Sequence, residues 1–156
     1  MTTEVAEPIF LDTNILVYSS VDSSPFYHLA RTTITAYEQA GTPLWISRQV
    51  LRKYLATLIR PNVGISTIEL TAAIRQYELR FQVAEESPLV TAQLLALLEQ
   101  GYSRQVHDTN IVATMQTIGI TRILTNNPDD FTPFSTFITV IPLVLRFSHG
   151  EPTSSA

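Results

Sequence analysis

A chain of 156 residues with 45% hydrophobic content is long enough for one well-buried core and too short for two ordinary domains. Its net charge of −4 excludes the general basic footprint by which most nucleic-acid binders hold phosphate, and its lack of cysteine excludes disulfides, zinc-thiolate sites and thiol catalysis. No apolar run approaches the roughly 18 residues of a membrane span, and the opening MTTEVAEP carries acid where a signal peptide carries base, so a cytoplasmic location without a membrane partner is expected.

The first buried strand is expected at Ile9-Phe10-Leu11, a short apolar run that ends on Asp12. A helix is expected from about Phe26 to Gln39, followed by a second apolar run at Pro43-Leu44-Trp45-Ile46. Val50, Leu51, Tyr54, Leu55 and Leu58 then recur at helical spacing behind Ser47, a natural N-cap, and Pro61 stops the pattern. Further helices are predicted over Ser66–Leu79 and Pro88–Leu98. Ile111, Val112, Met115 and Ile118 repeat the helical spacing after Asp108 and stop at Gly119. Strands Arg122–Leu124 and Phe137–Ile141 complete the series. Apolar strands alternating with helices predict an α/β fold, a Rossmann-like, mainly parallel sheet flanked by helices on both faces. One domain is expected over residues 8–142, with flexible tails at 1–7 and 148–156.

In an open α/β sheet, ligands bind beyond the carboxyl ends of the strands. Those positions are acidic here. Strand one runs into Asp12 of FLDTN, Asp108 opens the helix that leads to the fourth strand, and that strand ends at Thr125-Asn126-Asn127 ahead of Asp129-Asp130-Phe131. Each acid taken singly has a plain structural role: an Asx turn with Asn14 for Asp12, an N-cap for Asp108, a loop for Asp129 and Asp130. Their recurrence after topologically related strands argues instead for one site. Three carboxylates within a few ångströms would repel by roughly 4 kcal/mol per close pair at an effective dielectric near 20. Oxygen donors without thiol or histidine favour Mg²⁺ or Mn²⁺, and such an ion activates water against a phosphodiester.

FLDTNILVYSS, SRQVLRKYLATLIRP, VHDTNIVATM and ILTNNPDDF, in this order and spacing, resemble the PIN domain family, named from the N-terminal part of PilT and including the VapC-type toxins. The resemblance runs from about Pro8 to Pro142 and implies an acidic pocket for Mg²⁺ or Mn²⁺ and a ribonuclease cleaving single-stranded RNA. By the same resemblance Asp12 and Asp108 are metal ligands and catalytic residues, and Asn126 and Asp130 complete the metal shell through water. Thr13, Asn14 and Thr125 match polar positions that orient ligands and substrate. Resemblance to toxins also suggests an antitoxin protein as partner and a homodimer.

One family acid is missing. Where relatives carry glutamate in a context like VLREY, this chain reads Val50-Leu51-Arg52-Lys53-Tyr54, and no Asp or Glu occurs between Glu38 and Glu69. The change from −1 to +1 opposes a divalent ion at that place. Two readings follow: Lys53 partly replaces the cation and leaves a silenced RNA- or protein-binding module, or the metal still binds and Lys53 swings outward to contact substrate phosphate. Arg48, Arg52, Lys53 and Arg60, four of the ten basic residues, fall in one predicted helix and form either a solvated face or the phosphate-contacting one. Trp45, Tyr54, Phe131 and Phe134 are candidates for stacking bases, with core packing favoured for Trp45. A haloacid-dehalogenase-like phosphatase, with Asp12 as nucleophile beside Ser47, Lys53 and Asp129-Asp130, fits less well. It requires an acid two residues after the nucleophile, where Asn14 stands, and leaves Asp108 without a role. Covalent trapping of Asp12 by a phosphoryl analogue would reverse that ranking.

Overall fold

A computed structural model describes residues 6–144. Five strands form one all-parallel sheet: β1 (Ile9–Leu11), β2 (Leu44–Ser47), β3 (Gln82–Ala84), β4 (Arg122–Thr125) and β5 (Thr139–Pro142), in the spatial order β3-β2-β1-β4-β5. The helices around it are α1 (Thr13–Ser20), α2 (Tyr27–Gln39), α3 (Arg48–Leu58), α4 (Thr67–Arg80), α5 (Pro88–Glu99) and α6 (Val106–Ile118), with 3₁₀ segments at Pro61–Val63 and Pro128–Phe134. The expected α/β architecture is therefore present, and the strand order reverses between β1 and β4. That switch point is where the two crossover directions diverge and leave a crevice at the carboxyl edge.

β1 is central because every one of its side chains is excluded from water: Ile9, Phe10 and Leu11 are each 0% exposed. They pack with Ile46, Val50, Ile111, Val112, Ile123 and Leu124 into one core cluster, in line with the continuous apolar runs expected of strands covered on both faces. Ser47 caps α3 by accepting from Val50 N at 3.2 Å. Ser66 and Glu69 form a reciprocal capping box at the start of α4. Gly119 closes α6 at φ 76°, a left-handed conformation that a side chain resists.

Two elements had no sequence signal. α1 is only eight residues long and its apolar text runs on from β1, too short to display a helical period. β3 has three residues and its first, Gln82, is exposed, as an edge strand allows. The basic cluster also divides: α3 ends at Leu58 and Arg60 lies beyond it, heading the 3₁₀ turn. Of the expected tails, residues 1–5 and 148–156 lie outside the described residues, while Glu7 is tied to β4 through Arg122. Among the described residues no helix is long and apolar enough to cross a membrane.

The segment after β4 is pinned by Phe131 and Phe134, which are 0% and 3% exposed. Phe131→Ala is expected to destabilise the fold by about 3–5 kcal/mol, seen as a lower urea midpoint with an unchanged denaturant slope.

Candidate functional site

The site is built on the junction of β1 and β4. Backbone pairing of the two strands continues one residue past β1, where Asp12 N donates to Leu124 O at 3.0 Å. Asp12 then leaves the sheet with extended backbone and caps α1, its Oδ1 accepting from Thr13 N at 2.8 Å. Its other oxygen accepts from the Thr125 hydroxyl at 2.7 Å and from Asn14 Nδ2 at 3.2 Å. Asp12 is thus an N-cap, a role the Asx-turn reading missed.

Asn14 and Thr125 carry the network onward. Asn14 Oδ1 accepts from Asn126 N at 3.1 Å, and Thr125 Oγ1 accepts from Asn127 N at 3.0 Å. Asn126 Nδ2 donates to the Tyr18 hydroxyl at 3.0 Å. These bonds hold Asp12, Thr13, Asn14, Thr125 and Asn126 as one rigid unit across the switch point. Tyr18 belongs to it as well; it lies within FLDTNILVYSS but is not among the expected site residues.

Asp108 arrives from α6. The helix is capped by Gln105, without a side-chain cap bond, and Asp108 is its third residue, so the N-cap role considered from sequence falls to Gln105. An acid in the first turn is favoured by the helix dipole. Burial nevertheless pushes its pKa up to about 6, with the charges of Asp12 and Asp130 adding to the effect and those of Lys53 and His107 opposing it. Burial likewise raises Asp12, against the hydrogen bonds from Thr125 and Thr13 and the charge of Lys53, while Asp130 adds to the rise. Asp130 itself is exposed on the 3₁₀ segment. Three segments therefore face one edge and sense one another's charge. The closer gathering expected from sequence is not seen: among the described residues no three His, Asp or Glu stand near enough to hold one ion.

α3 is registered against α6 by Gln49, which donates from Nε2 to His107 O at 3.1 Å and accepts from Asn110 Nδ2. Gln49 and Asn110 lie within SRQVLRKYLATLIRP and VHDTNIVATM, but neither is among the expected site residues. Lys53 lies one helical turn after Gln49, on the same face of α3. It is exposed and borders a groove of about 530 Å³ with Gln49, Ala56, Leu94, Val106 and His107. Among the described residues it forms no ion pair within 4.0 Å, although its charge lowers the pKa of both Asp12 and Asp108.

The neighbouring arginines are engaged. Arg48 grips Glu85 with Nε at 3.0 Å and Nη2 at 2.8 Å and also pairs with Glu78, while Arg52 pairs with Glu86. Of the aromatic candidates, Tyr54, Phe131 and Phe134 are buried and Trp45 packs against the core, so packing accounts for all four. A second concavity of about 630 Å³, between α1, α2 and α4, is lined by Arg31, Tyr54 and Tyr77. It is also lined by Ser19 and Ser20, at the far end of α1 from Asp12.

The donor set suits a hard divalent cation in kind. Its atoms are carboxylate oxygens whose mutual repulsion a 2+ ion would relieve, and Asp108 and Asp130 are half-buried and exposed, respectively. Lys53 is the cation whose charge reaches both Asp12 and Asp108.

Residues 9–133 match the family model of the PIN domain. The chain belongs to the PIN domain family. Among solved structures it is similar to a chain of a toxin–antitoxin complex from Klebsiella pneumoniae, with a TM-score of 0.63 and 20% identity over 87% of this chain and 98% of that one. DNA-bound VapBC from Salmonella typhimurium gives a TM-score of 0.63 and 15% identity over 88% and 99%. VapC20 of Mycobacterium tuberculosis, described as a toxin that cleaves the sarcin–ricin loop, gives 0.57 and 18% over 74% and 86%. At these identities the likeness shows a shared fold. No curated protein matches.

Because Asp108 holds its proton more tightly folded than its ordinary value of 3.8, its contribution to stability falls as pH rises from about 4 to about 6 and is constant above. Asp108→Asn is expected to raise stability at pH 7 in chelator by on the order of 1–2 kcal/mol after solvent screening. The gain should vanish below about pH 4 in thermal melts; an unchanged difference across that window would show that Asp108 is not strained by its neighbours.

Proposed function

We propose that this PIN domain is a Mg²⁺- or Mn²⁺-dependent ribonuclease acting on single-stranded RNA, at a site altered by Lys53, and that it is the toxin of a toxin–antitoxin pair working as a homodimer. The observation that carries the reading is the convergence of Asp12, Asp108 and Asp130 on the switch-point edge, where the charge of Asp130 raises the pKa of both other acids and that of Asp12 raises Asp108. Likeness to a toxin that cleaves the sarcin–ricin loop supports RNA as substrate, and likeness to toxin–antitoxin complexes supports an antitoxin as partner.

A divalent ion supplies charge neutralisation and a more acidic water for phosphodiester hydrolysis. Asp12 and Asp108 would hold it directly, with Asn126 and Asp130 acting through water. The chain's own contribution is orientation. Asp12 is fixed by three donors, Thr13 N, Thr125 Oγ1 and Asn14 Nδ2, so its carboxylate meets ligand without reorganising. Lys53 is the α3 cation that stands free among the described residues, and its flexible stem brings the ammonium to a substrate phosphate. Arg48 and Arg52 reach phosphate only by releasing Glu78, Glu85 and Glu86, so their part is secondary.

One observation favours a second reading, in which the same surface binds RNA or protein without cutting it: the Lys53 charge already opposes the acids that a cation would serve. Cleavage of labelled single-stranded RNA in Mn²⁺ separates the two. The wild type is expected to cut, Asp12→Asn to lose activity by at least a hundredfold, and Lys53→Glu to change the rate by tenfold or more. Cutting by Lys53→Glu alone would mean that the natural protein is a silenced nuclease.

A further inference from the structure

Beside the acidic edge, between the α5–α6 connection and the 3₁₀ segment after β4, lies a pocket of about 440 Å³. That size falls within the roughly 300–1,000 Å³ of small-ligand sites. Its walls are Tyr102, Arg104, Gln105, Asp129, Asp130 and Pro133. Among the described residues, Arg104 and Asp129 are exposed and make neither an ion pair nor a side-chain hydrogen bond. Elsewhere Arg48, Arg52 and Arg80 pair with glutamates, while Arg60 and Arg75 are exposed and, among the described residues, also unpaired. What sets Arg104 and Asp129 apart is their place: an unpaired guanidinium and an unpaired carboxylate line the same pocket.

The pocket is also built to stay in place. Gly101 turns the chain out of α5 at φ 102°, a conformation that favours glycine. Tyr102 then stacks on Phe134 with centroids 5.2 Å apart and meets the edge of Phe137 at 5.5 Å. The Thr109 hydroxyl donates to Tyr102 O at 2.8 Å and to Gln105 O at 2.9 Å, tying the connection to α6. Tyr102 and the exposed Pro133 present flat apolar faces, the surfaces on which a base rests.

We propose that this pocket receives a guanine base of the RNA strand, gripped by Asp129 and Arg104, next to the phosphate held at the acidic edge. Guanine offers a pair of N–H donors, N1 and N2, to a carboxylate and a pair of acceptors, O6 and N7, to a guanidinium. Adenine, cytosine and uracil each place an acceptor or a lone donor where one of those pairs is needed, which leaves a charged group unmatched. Asp130 links the two places, as a wall of the pocket and a member of the acidic edge. The inference deepens the ribonuclease reading and rests on it for the position of the phosphate.

The four nucleoside 5′-monophosphates, titrated into the ¹⁵N-labelled full chain in chelator, test the pocket without requiring cleavage. GMP is expected to shift the backbone amides of Tyr102, Gln105 and Asp130 saturably and at least tenfold more tightly than AMP, CMP or UMP. Arg104→Ala and Asp129→Asn should each weaken GMP tenfold or more, with the remaining amide spectrum unchanged. Equal shifts from all four nucleotides, no shift at those amides, or GMP binding that survives both substitutions would overturn the assignment. If GMP is selected but no RNA is cut in Mn²⁺, the pocket stands and the nuclease reading falls. If RNA is cut with no guanosine preference beside the cleaved bond, the nuclease stands and the pocket assignment falls.

Discussion

The contact between Asp12 and Thr125, 2.7 Å across the end of the β1–β4 pair, is the constraint on which the rest of the site depends. A carboxylate that is 6% exposed is tolerated only when its lone pairs are met, and here they are met by a donor from the end of β4 and two from the first turn of α1. The same bonds satisfy a free helix amide and tie the end of β4 to the start of α1. Structural and chemical roles coincide in one side chain, so a change at Asp12 disturbs the cap and the site together.

Around that fixed point the other charges are arranged by elements of differing rigidity. Asp108 rides on α6, whose register against α3 is set by Gln49 bridging His107 O and Asn110. Asp130 sits on a short 3₁₀ segment anchored by two buried phenylalanines. Two acids are thus held at a Coulombic distance from Asp12 rather than in contact with it. This is the expected compromise for carboxylates that repel in partial burial but must approach when a cation joins them. Lys53 enters the same balance from α3: its charge lowers both neighbouring acids, as a weak and movable counterion does.

The surroundings of the site are electrostatically economical. Arg48 and Arg52 are held by Glu78, Glu85 and Glu86, and Arg80 by Glu38, so half of the base on and between α3 and α4 is neutralised locally. Affinity for a polyanion then cannot come from a broad positive field. On the ribonuclease reading it would come from a few unpaired groups, Lys53 and Arg104 among them. Such a surface favours recognition by shape and by base contacts over salt-dependent adhesion.

The sequence by itself determined the layers and the acids. Ile9-Phe10-Leu11 and Arg122-Ile123-Leu124 read as buried strands because both faces of a parallel sheet are covered, and Ser47, Ser66 and Gly119 marked helix ends through local hydrogen bonding. Asp12 and Asp108 were legible because they stand at fixed offsets from those strands and helices. Only the tertiary structure decided what those residues do to one another. α1 and β3 were invisible because eight and three residues are too few to carry a period, and both are specified by what they pack against. The pairing of Arg48 with Glu85 joins residues 37 positions apart, and Gln49 reaches His107 across 58. No local pattern encodes such distances, because a side chain's partner is set by the crossing of helices on the sheet and not by its neighbours along the chain.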